Sequence, residues 1–315
     1  MDPRNRKPLS QTWCPRFAHS CRKRTDRLVR DAARSCAASL PFSGLSMKLI
    51  HLTDPHLVPL GAMLFGFDPA QRLRKTIERI NRDHADAELC VVTGDLTDEG
   101  DFASYVLLRE VLQELRVPAR LLLGNHDSRE NFVRAFPGEP RDENGFIQSV
   151  HDGSAGRLIF LDTLVEGFGH GSLDDGRLEW LLARVAEASD VRAYLFVHHP
   201  LQPIGLPHFE PWSTENWRPI MQAIVSAGNV RHIFHGHVHV DVGGTWSGIP
   251  FSANRGVAHQ IIPHFTRRDA DFVEDAPAFD IAIIDVDGVL VHRFEVSDRH
   301  VVEVSAEGWV PEGMQ

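Results

Sequence analysis

Five short clusters of Asp, Asn and His constrain this chain more than any other feature, because each follows a short apolar, β-prone run. They are Asp54-Pro55-His56 after Lys48–Leu52, Gly94-Asp95-Leu96-Thr97-Asp98 after Leu89–Thr93, and Gly124-Asn125-His126-Asp127 after Ala119–Leu123. His198-His199-Pro200 follows Ala193–Val197, and Gly236-His237-Val238-His239 follows Val230–Phe234. In open α/β sheets the carboxyl ends of the strands gather on one edge, and ligands bind there. Five segments remote in sequence are therefore expected to converge in one crevice.

Helical patterns separate these runs. Pro69–Asp83 opens on Pro, and Phe102–Leu115 places Val106, Leu107, Val111, Leu112 and Leu115 at helical spacing. A short helix is expected near Arg129–Phe136 and another at Gly176–Ala188, with Arg157–Leu161 as a further strand. Beyond Phe234 the texture turns to short strands near Thr245, Phe251 and Ile281–Asp285. Asp287-Gly288 then turns into Val289–Phe294 as a hairpin. Strand–helix alternation followed by strand-rich sequence gives an α/β class with sheets packed between helices. Gln202–Trp217 reads as a long irregular loop, and loops of that length tend to be lids or binding loops.

Residue type narrows the chemistry. Carboxylate oxygens and imidazole nitrogens suit borderline ions such as Fe, Mn, Co and Zn, whereas a calcium or magnesium site would not recruit so many histidines. Asp54, His56, Asp95, Asn125, His198, His237 and His239 are too many donors for one tetrahedral ion. They fit two divalent or trivalent ions roughly 3.5–4 Å apart, which clamp the attacking and leaving oxygens of a displacement at phosphorus. Each cluster alone says little. Asp-Pro-His is also a respectable turn, Gly-Asp after a strand is commonly a turn with a helix cap, and a His-His doublet is more often one core and one exposed residue. Gly-Asn-His-Asp and Gly-His-Val-His say more, since histidines two apart on extended chain face one side. All five in this order outweigh the bland reading.

Charge limits the partners. Residues 1–46 hold 10 Lys/Arg against 3 Asp/Glu and include Cys14, Cys21 and Cys36, so the remainder carries 23 against 40, a net of −17. An acidic body repels polyanions, and nucleic acid is not an expected partner. A small phosphate ester remains admissible, because bound cations invert the local potential. No apolar run approaches the roughly 20 residues of a membrane-spanning helix, and no membrane partner is expected. The basic segment lacks hydrophobic periodicity and the apolar core of a secretory signal; an organelle transit peptide is weakened by Asp2, Asp26 and Asp31. The reading adopted is a disordered basic extension over 1–46 and one domain over 47–315 that starts at Met47. That domain carries only Cys90, which leaves neither a disulfide nor a cysteine zinc site, and a cytoplasmic location is expected. A homo-oligomer is left open.

The motifs D-x-H, G-D-x-x-D, G-N-H-D, H-H-P and G-H-x-H resemble those of the calcineurin-like metallophosphoesterase superfamily. Within it, the resemblance is to class III cyclic-nucleotide phosphodiesterases and bacterial glycerophosphodiesterases. It runs from about Met47 to His259 and includes Phe65-Gly66-Phe67 and Gly171–Leu182, while the last 50 residues match loosely. It implies a four-layer α/β/β/α sandwich. It also implies one ion held by Asp54, His56, Asp95 and His239, and a second held by Asp95, Asn125, His198 and His237, with Asp95 bridging. His198 is preferred to His199 because the first histidine of H-H-P is the usual ligand. His126 would sit over the substrate phosphate, oriented by Asp98, with Asn125 and His259 also toward substrate; Asp127 would cap backbone in its loop.

Two features separate branches. Purple acid phosphatases carry Tyr three residues after the bridging Asp, where this chain has Asp98. His235 creates an H-x-H-x-H run like that of the metallo-β-lactamases, but the run ends in Val240-Asp241 and stands late, so His235 is read as a strand-end residue. The implied activity is hydrolysis of phosphodiester bonds in small soluble substrates, cyclic nucleotides of the cAMP type first and glycerophosphodiesters as the alternative. A nuclease or a phosphomonoesterase ranks below these. A non-catalytic binding scaffold ranks last, since it predicts lost ligands and none is missing. Phe209, Trp212 or Trp217 is expected near the entrance, where an aromatic face can pack on a nucleobase.

Overall fold

The computed structural model describes residues 46–297. The expectation of a disordered basic extension therefore lies, but for Ser46, outside the described residues. In chain order the elements begin with β1 (Met47–Leu52), α1 (Pro69–Asp83), β2 (Leu89–Thr93), α2 (Phe102–Leu112), β3 (Ala119–Leu122) and α3 (Arg129–Ala135). There follow β4 (Ser149–Gly153), β5 (Gly156–Phe160), α4 (Asp175–Glu187), β6 (Ala193–Val197), α5 (Trp217–Ala227) and β7 (Val230–His235). The remainder is strand: β8 (Val242–Trp246), β9 (Ile249–Ala253), β10 (Gln260–Ile262), β11 (Asp271–Val273), β12 (Ala278–Ile284) and β13 (Val289–Glu295).

Local chemistry sets the helix starts. Asp68 accepts from the amides of Ala70 and Gln71 ahead of Pro69, which needs no donor in the first turn. Asp101, Ser128 and Asp174 cap α2, α3 and α4 in the same way. The amides of Gln113, Glu114 and Leu115 bond carbonyls three residues back, so α2 tightens at Leu112 instead of running on to Leu115.

Five strands form one sheet in the order β13-β12-β1-β2-β3, and six form another in the order β4-β5-β6-β7-β9-β8. Period-two alternation divides the side chains of each strand between two cores. Leu49, Leu89, Val91, Phe160, Tyr194, Phe196 and Phe234 fill the space between the sheets. Ile50, Leu52, Cys90 and Val92 turn outward onto Leu73, Ile77, Leu108 and Phe132 of α1, α2 and α3. Ile159, Leu195 and Val197 turn onto Leu181, Ile220 and Ile224 of α4 and α5. The result is the α/β/β/α sandwich that the motifs implied. Truncating one central ring, Phe196→Ala, would cost about 3–5 kcal/mol by loss of burial and an unfilled cavity. Among the described residues no helix is long and apolar enough to cross a membrane.

Candidate active site

The strands that carry the clusters run parallel within their sheets, β1 beside β2 and β3, and β6 beside β5 and β7. All five clusters therefore emerge at carboxyl ends, and the two edges are stitched together: His198 Nδ1 lies 2.6 Å from the Thr93 carbonyl. Close approach here requires glycine. A Cβ on Gly94, at φ +94°, would stand 2.6 Å from both His198 Nδ1 and the Gly124 nitrogen. Asp54, His56, Asp95, His237 and His239 also adopt left-handed backbone at φ 53°, 42°, 48°, 71° and 49°. That conformation is costly for residues with a Cβ and persists only where the surroundings over-determine it.

The hydrogen bonds around this cluster fix its outward atoms and leave two inward ones, Asp54 Oδ1 and His237 Nε2, without a partner. A carbonyl accepts only, so His198 donates from Nδ1 to Thr93, and His239 donates from Nδ1 to the His259 carbonyl at 2.8 Å. His56 Nδ1 faces the Asp98 carboxylate at 3.1 Å. All three histidines thus turn Nε2 inward, and those of His56 and His239 stand only 3.2 Å apart. Asp54 Oδ2 accepts from Thr53 Oγ1 and from the His237 amide, while its Oδ1 has no partner and lies 3.3 Å from His239 Nε2. Asp95 Oδ1 accepts the His126 amide at 2.9 Å, and its Oδ2 lies 3.6 Å from His56 Nε2 and 3.4 Å from His198 Nε2. Buried carboxylate oxygens and imidazole nitrogens crowded this closely need protons or cations among them. Burial opposes protonation, but Asp95 accordingly raises His198 to about 9 and Asp54 raises His239 above its ordinary value. The donor set fits metal ions.

Titration follows the same geometry. Burial, with His198 beside it, pushes His237 down to about 3, so its unpartnered Nε2 is a neutral donor. Burial opposes ionisation of Asp95, but His198 and His126 outweigh it and hold the carboxyl well below its ordinary value. Asn125 places its amide oxygen 3.2 Å from His198 Nε2.

The neighbouring residues divide. His199 is tied through Nδ1, 2.8 Å from Thr163 Oγ1, while its buried Nε2 has no partner and its ring lies 4.9 Å from that of His237, so it stands beside His198 at the edge of the donor cluster. Asp127 accepts from the amides of Leu96, Thr97 and Gly124 and from the Tyr105 hydroxyl, tying two clusters to α2. Burial and the nearby Asp95 charge push its pKa up to about 6. His235 ends β7, where it pairs with Gln202 and the Gly236 carbonyl and stacks on Phe251. Asp98 meets two histidines. Its carboxylate holds His56, and its backbone carbonyl, 2.7 Å from His126 Nδ1, holds His126.

A cavity of about 260 Å³ opens above the cluster, lined by His126, Asn125 and His259 and walled by Phe65, Phe272, Ile261, His208, Phe209 and Trp212. Trp217 is not part of it. Helix α5 begins on Trp217, and the helical start turns the ring against Trp246 of β8. Sequence reading missed the other wall. Phe65 was noticed only within a motif, and Phe272 stands on a three-residue strand with no alternation to reveal it.

A four-layer sandwich with carboxylate and imidazole donors pooled at its strand ends defines a class, the metal-dependent hydrolases. Residues 47–241 match calcineurin-like phosphoesterase. A probable cyclic nucleotide phosphodiesterase of Rhodopseudomonas palustris is 41% identical over 218 residues, 68% of this chain and 80% of that protein. A probable glycerophosphodiester phosphodiesterase of Arcobacter nitrofigilis is 29% identical over 237 residues, 74% of this chain and 86% of that protein. The fold is shared with a dimetal phosphatase from Danio rerio, at a TM-score of 0.63 and 17% identity, covering 80% and 96% of the two chains. The chain belongs to the calcineurin-like phosphoesterase family.

Proposed function

We propose that the protein hydrolyses phosphodiester bonds of small soluble substrates, 3′,5′-cyclic nucleotides first, at a pair of cations. One would be held by Asp54, His56, Asp95 and His239, and the other by Asp95, Asn125, His198 and His237. The observation that carries this is Asp95, whose Oδ2 stands within 3.6 Å of His56 Nε2 and 3.4 Å of His198 Nε2, between the two donor groups. Mixed carboxylate and imidazole donors favour Fe, Mn, Co or Zn. Two such cations would neutralise phosphoryl charge and make water nucleophilic near neutral pH.

The chain's own residues supply the rest. His126 keeps a proton on Nδ1 against the Asp98 carbonyl. Without cations, burial lowers its pKa but the Asp95 charge and that carbonyl outweigh burial and raise it; cations bound at Asp95 would push it back toward neutrality. Its cationic form then carries a second proton on Nε2, which can pass to the departing alkoxide. His259, stacked on His239 at 4.2 Å, faces substrate in this reading. The acidic body, at −17 beyond residue 46, supports a small substrate over nucleic acid. Its single cysteine, Cys90, accords with a cytoplasmic site of action.

The test is turnover by the Mn-loaded full chain of cyclic AMP, glycerophosphoethanolamine and nitrophenyl phosphate. Chelator-sensitive release of AMP is expected. Turnover of glycerophosphoethanolamine alone would select the second reading, which the Arcobacter relative favours. Turnover of the monoester alone would sink both.

A further inference from the structure

The segment Leu64–Phe67 closes on itself through two backbone bonds, Leu64 N to Phe67 O at 2.9 Å and Phe67 N to Leu64 O at 3.0 Å. Both residues between them have positive φ, Phe65 at 50° and Gly66 at 96°. Glycine takes this conformation freely, but a bulky aromatic residue there is an outlier. The strained turn holds the Phe65 ring at its tip, where it is 63% exposed. Across from it Phe272 of β11, 51% exposed, stacks at 5.4 Å with an interplanar angle of 29°.

These two rings, packed on each other, form one apolar wall beside the donor cluster, each with an outer side toward solvent. Each lies 5.2 Å from His259, which in turn stacks on His239. One histidine ring thus separates the pair from the phosphate-binding centre, much as a ribose separates a nucleotide's phosphate from its base. Among the described residues of the opposite wall only Trp212, 44% exposed, offers a comparable ring. Phe209 is buried among Leu206, Val238 and Ile261, and Trp212 lies against Gly169 and stacks on His208.

We infer that Phe65 and Phe272 form a stacking platform for the planar base of the substrate, and that they set its preference for nucleotides over base-free diesters. This rests on the phosphodiesterase reading of the metal-donor cluster. Aromatic faces bind any base, because every base offers a π-face, and the gain is lost when the ring is lost. The platform therefore separates nucleotides from glycerol esters without choosing strongly among bases.

Phe65→Asn keeps a residue that tolerates left-handed backbone and removes the ring, whereas Phe272→Leu keeps apolar volume and removes planarity. Inhibition constants of AMP and of inorganic phosphate are measured against hydrolysis of bis-nitrophenyl phosphate by the Mn-loaded full chain. Each variant should weaken AMP about tenfold and leave phosphate within about twofold. AMP constants that stay at the wild-type value, or that shift together with those of phosphate, overturn the platform. If the AMP effect stands while the wild type leaves cyclic AMP intact, the platform is supported and the substrate reading fails by itself.

Discussion

The carbonyl oxygen of Asp98 lies 2.7 Å from His126 Nδ1, while its nearest carboxylate oxygen stays 4.0 Å from that nitrogen. The carboxylate is instead 3.1 Å from His56 Nδ1. Removing it should therefore act on His56, whose Nε2 then loses its orientation. Asp98→Ala is expected to weaken one metal site about 10–100-fold, the usual effect of losing a partner behind a metal-binding histidine. Stepwise metal titration checks this. Unchanged affinity with altered leaving-group dependence would put Asp98 back on His126.

Asp95 serves both donor groups, and His56 serves one. Asp95→Asn should release both metals, and His56→Ala should mainly empty one. Elemental analysis of the dialysed variants decides, and two tightly held metals in Asp95→Asn would contradict the assignment.

Much of this architecture is legible in the sequence because strands buried on both faces read as continuous apolar runs. Leu89–Thr93 and Ala193–Val197 are of that kind, each ending in a chemically distinctive cluster. Five such endings at parallel strands converge for topological reasons. What escaped is set by packing. No glycine announces the left-handed backbone of Asp54 or His56, so the strain at the centre is silent. Helix α5 was hidden by Pro219 near its start, although proline is tolerated in a first turn. The loop's place after the His198 motif predicts Phe209, Trp212 or Trp217 at the entrance; Phe209 and Trp212 line the cavity, whereas the helix carries Trp217 toward Trp246. Asp98 shows the same limit at one side chain, since spacing cannot tell whether a residue works through its carboxylate or its carbonyl.

Acid should destabilise the fold independently of the metals. His232 on β7 is buried with Nε2 2.9 Å from Ser252 Oγ, and burial, then His235, push its pKa down to about 4. The unfolded chain protonates it near its ordinary 6.5. Its contribution is full above that value and is lost as pH falls toward 4, because the unfolded state binds the extra proton. Between pH 7.5 and 5 this removes about 2 kcal/mol. His232→Gln should recover about that share in urea unfolding of chelator-treated protein. An equal pH dependence in both proteins would show that His232 takes up its proton without unfolding.

His126 is the last and sharpest test of the proposed chemistry. Its amide donates to Asp95 at 2.9 Å and its Nδ1 is engaged by Asp98, so the ring is held beside the donor cluster and Nε2 remains for substrate. General-acid help matters when the leaving alkoxide is a poor one and little when the departing group is already a stable anion. His126→Ala should keep both metals and lose about 10²–10⁴-fold on a ribose or alkyl leaving group, but under about tenfold on a nitrophenyl diester. A histidine that only hydrogen-bonds a phosphate oxygen would lower both rates alike. Measuring the two rates on one metal-loaded preparation separates these roles, and equal losses would leave His126 as an electrostatic contact.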